Sequence, residues 1–177
     1  RIWTERRSGL VVKPQTVDSD TRVVEQSAFS ELQLDAPVKA QALAQMMANT
    51  SGYRIEKLEL ERSTAQDEGW MLRTPVAGFK PRSFFRRPAL PAGDGKPPKP
   101  EATTVQWTFS DGLATVSLFI ERYDPARTPG DGVLTIGATN AIRRRLPAPA
   151  SDWWLTAVGE VPQQTLNAFA QSLARTR

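Results

Sequence analysis

The side chains in this sequence that are best suited to chemistry are arginines next to phenylalanines, in residues 80–87. A guanidinium beside an aromatic ring can hold a carboxylate or a phosphate by paired hydrogen bonds next to an apolar surface. This arrangement suits an acidic peptide or a lipid phosphate. The same alternation is typical of a β-strand whose arginines face solvent, and the sequence leaves both interpretations open. The candidate partner-binding residues of this segment are Arg82, Phe84, Phe85, Arg86 and Arg87.

A second arginine cluster consists of Arg143, Arg144 and Arg145. Three adjacent side chains on an extended chain cannot all point the same way, so a solvated face is favoured over a single binding site. Trp153 and Trp154 lie on opposite sides of their predicted strand, which predicts one indole in the core and the other at an interface. The candidate partner-binding residues therefore also include Arg143, Arg144, Arg145 and Trp154.

The composition excludes most enzyme chemistry. The 177 residues include no Cys and no His, which removes catalysis by an imidazole base, the usual zinc sites, haem ligation by His, and disulfides. The carboxylates are scattered, without a pair placed for general acid–base work. The sequence therefore predicts no enzyme, no metal and no cofactor. The 23 basic and 19 acidic residues give a net charge of +4, an excess that assigns no function by itself.

Two turns contain residues that can also bind ligands. Ser110, Asp111 and Gly112 could cradle an anion or a metal, but a hairpin turn needs the same residue types. Residues 159–162 place backbone N–H groups at a predicted helix start, where Glu160 would repel an anion and complements the helix dipole instead. We interpret both turns as structural.

The elements that must position these residues are mostly strands. Residues 1–34 predict a β-meander, and residues 35–52 predict a helix with Asp35 as its N-cap. Farther along, alternating apolar residues predict strands over residues 53–61, 68–74, 133–142 and 153–161.

The clearest local pattern is a hairpin, in which residues 104–109 and 113–121 alternate around the turn at residues 110–112. A terminal helix is predicted after Pro162, with one apolar stripe of Leu166, Phe169, Ala170 and Leu173. The Pro-rich residues 88–100 predict a long loop, either an insertion or a binding arm.

This order of elements predicts an α+β fold, a mostly antiparallel sheet covered by one or two helices and preceded by the β-meander. We place the last strands of a first domain at residues 1–34, a helical linker at 35–52 and a small C-terminal α+β domain at 53–177. Because the chain begins with Arg1 in a strand-like segment, we expect the meander to be the end of a larger sheet domain. No run of apolar residues approaches the length of about 18 that a membrane-spanning helix needs.

Several short motifs carry a resemblance to a known family. Residues 109–114 (Phe-Ser-Asp-Gly-Leu-Ala), running into residues 116–121, resemble the C-terminal domain of the RseB/MucB family. Three further segments agree in order and spacing: residues 70–79, Gly137-Ala138, and residues 158–162 with Thr165. Residues 1–34, with Arg1-Ile2-Trp3, Ser8-Gly9 and Phe29, resemble the end of that family's N-terminal domain.

The resemblance implies a bacterial periplasmic regulator of the sigma-E envelope stress response. Its N-terminal domain would be a half-open barrel like that of the lipoprotein carrier LolA. It would bind the periplasmic segment of an anti-sigma factor of the RseA/MucA type, protect it from regulated proteolysis, and release it when lipopolysaccharide or mislocalised lipoprotein appears. Lipopolysaccharide or acyl chains would bind through the N-terminal domain. The two basic segments would then meet an acidic, partly helical partner segment.

Three alternatives stay open at this point. A periplasmic lipid or lipoprotein carrier module would need an apolar cavity. A nucleic-acid-binding domain is suggested only by the basic clusters and ranks last, because the aromatic residues alternate in core-like patterns rather than lying on one basic face. A homodimer would result if the open edge of a severed sheet paired with a second copy.

Overall fold

The computed structural model describes residues 1–53, 55, 60–89, 102–126, 130–147 and 152–176. The chain divides into two compact units, unit 1 from Arg1 to Lys57 and unit 2 from Leu58 to Arg177. Within the described ranges, neither helix is long and apolar enough to cross a membrane.

Unit 1 contains a small antiparallel sheet and one helix. β1 (Ile2–Thr4), β2 (Val11–Val17) and β3 (Val23–Gln26) pair in that order, and α1 (Ala40–Ala48) follows. In the turn after β1, the Glu5 carboxylate accepts hydrogen bonds from the N–H groups of Arg7 and Ser8 at 2.9 and 2.7 Å. These bonds lower the pKa of Glu5. The antiparallel meander agrees with the sequence pattern.

Two boundaries in unit 1 differ from the predictions. β3 ends at Gln26 rather than at residue 34, and beyond it single hydrogen bonds to β2 replace a regular ladder. α1 begins at Ala40 rather than after residue 35, with Lys39 as its N-cap. The prediction of Asp35 as N-cap is wrong because Asp35 has a φ of 60°, a left-handed conformation typical of a turn.

Unit 2 is built on a larger antiparallel sheet, which among the described residues has seven strands in the order β4-β6-β7-β8-β11-β10-β9. β5 and β12 form a separate antiparallel pair. The elements are β4 (Glu61–Arg62), β5 (Trp70–Leu72), β6 (Lys80–Pro88), β7 (Thr103–Ser110), β8 (Thr115–Arg122), β9 (Gly132–Ile136), β10 (Thr139–Leu146), β11 (Trp153–Gly159), α2 (Gln163–Ser172) and β12 (Leu173–Arg175).

The structure confirms the predicted hairpin as β7 and β8. Their pairing begins next to the turn, where Ser110 lies opposite Thr115. The Asp111 carboxylate accepts hydrogen bonds from the N–H groups of Leu113 and Ala114 at 2.8 and 2.7 Å, and Gly112 has a φ of 101°. The bond from Ala114 and then that from Leu113 hold the pKa of Asp111 below its ordinary value. The polar groups of this turn are therefore engaged in hydrogen bonds that stabilise the turn.

Two elements of unit 2 differ from the predictions, and two predicted segments lie largely outside the described ranges. The single strand over residues 133–142 is two strands, β9 and β10, because Gly137 with a φ of 58° turns the chain between them. β12 was not predicted, since its pairing with β5 joins distant parts of the sequence. Of the strand predicted at residues 53–61, residues 54 and 56–59 lie outside the described ranges, as does most of the Pro-rich loop at 88–100.

The core of unit 2 lies between one face of the sheet and α2. Val116, Leu118 and Ile120 of β8 alternate inward and are fully buried, as are Leu166 and Phe169 of α2. The Phe169 ring packs against those of Phe109 and Phe79, with centroid distances of 4.9 and 5.5 Å. Burial of Leu166, Phe169 and Ala170 confirms the terminal helix as an amphipathic element packed on the sheet. Leu173, predicted in the same stripe, instead begins β12.

Candidate partner-binding face

The side of the seven-stranded sheet that points away from α2 carries most of the predicted binding residues. Residues opposite one another in an antiparallel sheet share a face, and successive residues alternate faces. The buried residues Leu118, Ala157 and Ile142 are aligned across β8, β11 and β10 on the side packed with α2. Their sequence neighbours therefore lie on the opposite side, which we name the outer face.

Two rows of aligned residues cross the outer face. The first row runs from β4 to β9 through Arg62, Phe85, Gln106, Phe119, Thr156, Arg143 and Gly132. The second row runs from β6 to β10 through Arg87, Thr104, Glu121, Trp154 and Arg145. β6 and β10 are four strand spacings apart, about 19 Å. The two arginine clusters therefore flank one shared surface.

The fold separates neighbouring arginines of each cluster. Arg87 and Arg143 lie on the outer face, whereas Arg86 and Arg144 lie on the side of α2 because they align with the buried Val105 and Leu155. Arg82 is exposed at the irregularity between Pro81 and Ser83, outside the regular ladder. The alternation within residues 143–145 follows the sequence-based expectation.

Two predicted binding residues are buried within unit 2. Phe84 is 9% exposed and lies on the side of α2, with its ring 5.5 Å from that of Trp107. Trp154 is 3% exposed although it belongs to the outer face, because the Tyr123 ring lies 6.0 Å from it. The other indole, Trp153, packs edge-on against Trp70 at 5.1 Å. Both tryptophans thus contribute to packing, and the side chains of Phe84 and Trp154 offer little contact area to a partner.

Several of the arginines already have acidic partners. Arg86 forms ion pairs with Glu61 at 2.8 Å and Glu68 at 3.5 Å. The hydrogen bond to Glu61 raises the pKa of Arg86. Arg145 donates from Nε to Asp152 at 2.6 Å, which raises the pKa of Arg145.

Among the described residues, Arg62, Arg87 and Arg143 are the outer-face arginines without a carboxylate within 4 Å. Nη1 of Arg87 donates to Gln106 at 3.3 Å, whereas its Nε is buried without an acceptor. In the part of the chain that the structure describes, no carboxylate lies within 4 Å of Arg143. Because guanidinium groups form strong, charge-assisted and often paired hydrogen bonds with carboxylates, a carboxylate-bearing partner fits this face.

The strand register brings to the outer face two residues that the sequence analysis did not name. Arg62 extends the first row beyond Phe85, and Phe119 lies half-buried in the middle of that row. An open groove of about 400 Å³ lies beside Phe119, between Ser117 and Val158 and toward Leu113 and Glu160. Phe119 was detectable in principle, since the inward positions of Leu118 and Ile120 require it to point outward.

The outer face has no arrangement suited to binding a metal. Among the residues covered by the described ranges, no three carboxylates gather where they could hold an ion. The face instead combines cations, hydroxyl and amide groups and half-buried aromatic rings, which is a composition suited to a peptide or protein partner.

Comparison with models of known protein families identifies the family of this chain. Residues 64–174 match the family model of the MucB/RseB C-terminal domain, and residues 1–47 match that of the MucB/RseB N-terminal domain. The chain belongs to the MucB/RseB family. The predicted family is therefore confirmed.

A curated relative of this MucB/RseB family chain is the sigma factor AlgU regulatory protein MucB of Pseudomonas aeruginosa. The two are 29% identical over 173 residues, which cover 97% of this chain and 50% of the relative. The chain thus spans about half the length of the curated relative that it matches.

Solved structures of MucB share the fold. A crystal structure of MucB in complex with MucA(peri) aligns with a TM-score of 0.72 at 23% identity, over 99% of this chain and 56% of that one. The structure of a Pseudomonas aeruginosa MucA/MucB complex aligns with a TM-score of 0.72 at 24% identity, over 99% of this chain and 54% of that one. A crystal structure of MucB aligns with a TM-score of 0.62 at 19% identity, over 98% of this chain and 51% of that one. The predicted, mostly antiparallel α+β fold is confirmed.

Proposed function

We propose that this chain acts as part of a negative regulator of the envelope stress response. In this proposal it binds the periplasmic segment of an anti-sigma factor of the RseA/MucA type and protects that segment from regulated proteolysis. Lipopolysaccharide or mislocalised lipoprotein releases the complex, and the protein works in the periplasm by binding rather than by catalysis. The observation that carries the proposal is the family match over residues 64–174, joined to relatives that were crystallised with MucA.

The outer face supplies a physical basis for such binding. Among the described residues, Arg87 and Arg143 have no carboxylate within 4 Å, and between them lie Phe85 and Phe119, which are half-buried. Flanking cations steer an acidic partner toward the surface and fix its register, whereas the central aromatic rings supply contact area that excludes water. We therefore assign Phe85, Arg87, Phe119 and Arg143 to the proposed contact surface, with Arg82 and Arg145 at its margin.

The test is a calorimetric titration of this chain with the periplasmic segment of its own organism's anti-sigma factor. We expect saturable binding that weakens at least about tenfold between about 50 and 500 mM salt, because exposed charge pairs are screened over that range. A segment with the same composition in scrambled order serves as the control. Equal affinity for the two segments, or no binding of either, contradicts the proposal.

A further inference from the structure

The seven-stranded sheet ends in two very different edges. β4 has only two residues, Glu61 and Arg62, both charged. β9, at the opposite edge, has the sequence Gly-Val-Leu-Thr-Ile, with neither charge nor proline. Natural proteins protect sheet edges with short strands, charges, prolines or bulges. β4 follows this rule and β9 does not.

β9 also exposes an unusual amount of apolar surface. Val133, Leu134 and Ile136 are 56%, 49% and 68% exposed. β10 pairs with one side of β9, and no strand of the described residues pairs with its other side. A strand edge with free backbone groups and apolar side chains on both faces is a surface to which an extended peptide can add as a further strand.

The register identifies which backbone groups are available. β9 and β10 are joined by the two-residue turn Gly137-Ala138, so Ile136 and Thr139 form a hydrogen-bonded pair. Hydrogen-bonded and non-hydrogen-bonded residue pairs alternate along the two strands from there. The N–H groups of Leu134 and Ile136 therefore point toward β10. The N–H groups of Val133 and Thr135 therefore point away from the sheet.

The positive charge beside β9 indicates which kind of partner this edge would bind. A Cβ atom added at Gly132 would lie 3.9 Å from Nη2 of Arg143, so this unpaired guanidinium reaches the start of β9. An acidic segment gains from Arg143, whereas a second copy of the chain would bring its own Arg143 to the same edge and be repelled.

We propose that an extended, acidic stretch of the anti-sigma factor segment adds to β9 as an additional strand, with its carboxylates toward Arg143. This inference rests on the proposed function and names the place and the form of the binding. Backbone hydrogen bonds to Val133 and Thr135 supply part of the affinity, and the exposed side chains of Val133, Leu134 and Ile136 contact alternate apolar side chains of the added strand.

Hydrogen exchange of backbone amides in the full chain tests the proposal, with the periplasmic segment of the organism's anti-sigma factor as the probe. A saturating amount of the segment should slow exchange at Val133 and Thr135 by at least about tenfold, because those amides become hydrogen-bonded. Leu134 and Ile136, whose amides already bond to β10, should change little. Contact through side chains alone does not produce this alternation.

A pair of variants at one position isolates the backbone donor. Val133→Pro removes the outward N–H at an edge position where proline is tolerated, whereas Val133→Ala keeps the donor and shortens the side chain. We expect Val133→Pro to weaken binding at least about tenfold and Val133→Ala less than about threefold.

The outcomes separate this inference from the function on which it rests. Binding of the segment without slowed exchange at Val133 and Thr135 overturns the strand addition and leaves the proposed function intact. Absence of binding by the unaltered chain overturns both. Slowed exchange that depends on the concentration of the chain alone means that a second copy occupies β9, and this also overturns the proposal.

Discussion

Arg143 and Arg144 are adjacent in the sequence, yet the pleat of β10 places them on opposite faces of the sheet. Arg143 aligns with Thr156 and Phe119 on the outer face, and Arg144 aligns with the buried Leu155 on the other. In the described part of the chain, neither has a carboxylate within 4 Å. They therefore form a matched pair for testing which face binds the partner.

At the residue scale, we predict that Arg143→Glu weakens binding of the anti-sigma factor segment at least about tenfold, because it places a like charge opposite the acidic partner. Arg144→Glu makes the same change in net charge on the other face and should alter affinity less than about twofold. Titration calorimetry at low salt measures both. Equal losses in the two variants would show that total charge, not the outer face, governs association.

Strands are positioned by what surrounds them as well as by their own patterns. Gly132 and Gly159 both lie in strands of the same sheet, and neither needs a positive φ. A Cβ atom at Gly159 would lie 2.7 Å from the Thr115 carbonyl oxygen and 3.1 Å from Val116 Cγ2. A Cβ atom at Gly132 would meet nothing closer than 3.8 Å. Gly159 is thus required for the close approach of β11 and β8.

At the element scale, we predict that Gly159→Ala lowers the free energy of unfolding by about 1–3 kcal/mol, because the backbone of β8 must move to admit the methyl group. Gly132→Ala should change it by less than about 0.5 kcal/mol or raise it slightly, since alanine restricts the unfolded chain more than glycine does. Urea unfolding followed by tryptophan fluorescence measures both variants. A Gly132→Ala variant as unstable as Gly159→Ala contradicts the steric argument.

Apolar burial is distributed very unevenly along the chain. The buried apolar side chains of the described ranges belong to residues from Trp70 to Ala174, and α1 contains none. Unit 1 instead leaves large apolar side chains such as Trp3, Phe29 and Met47 exposed. Because buried apolar area is the main favourable contribution to folding, the stability of the chain resides in unit 2.

At the scale of the whole molecule, we predict that a fragment of residues 58–177 unfolds in one cooperative transition whose midpoint lies within about 5 °C of that of the full chain. A fragment of residues 1–57 should show no cooperative transition, since three short strands without a packed face are marginal in water. Thermal unfolding followed by circular dichroism measures both fragments. A noncooperative transition in the longer fragment is the result that argues against an independent unit 2.

Local patterns were sufficient for the elements whose contacts are near in sequence. The alternation on both sides of Asp111 predicted β7 and β8, and the spacing from Leu166 to Ala170 predicted the buried side of α2. β12 and the division of residues 133–142 were missed. The first depends on pairing with the distant β5, and the second on a glycine turn that interrupts an otherwise continuous apolar pattern.

The sequence by itself determined which chemistry is absent and which side chains could bind a partner. Without Cys or His, imidazole and thiolate chemistry are impossible, and the arginines beside aromatic residues were visible as candidates. Only the tertiary structure decided which of them act together. Arg87 and Arg145 share one row because β8 pairs with β11. Strand order is set by pairing between distant segments, whereas a local pattern specifies only the alternation within each strand.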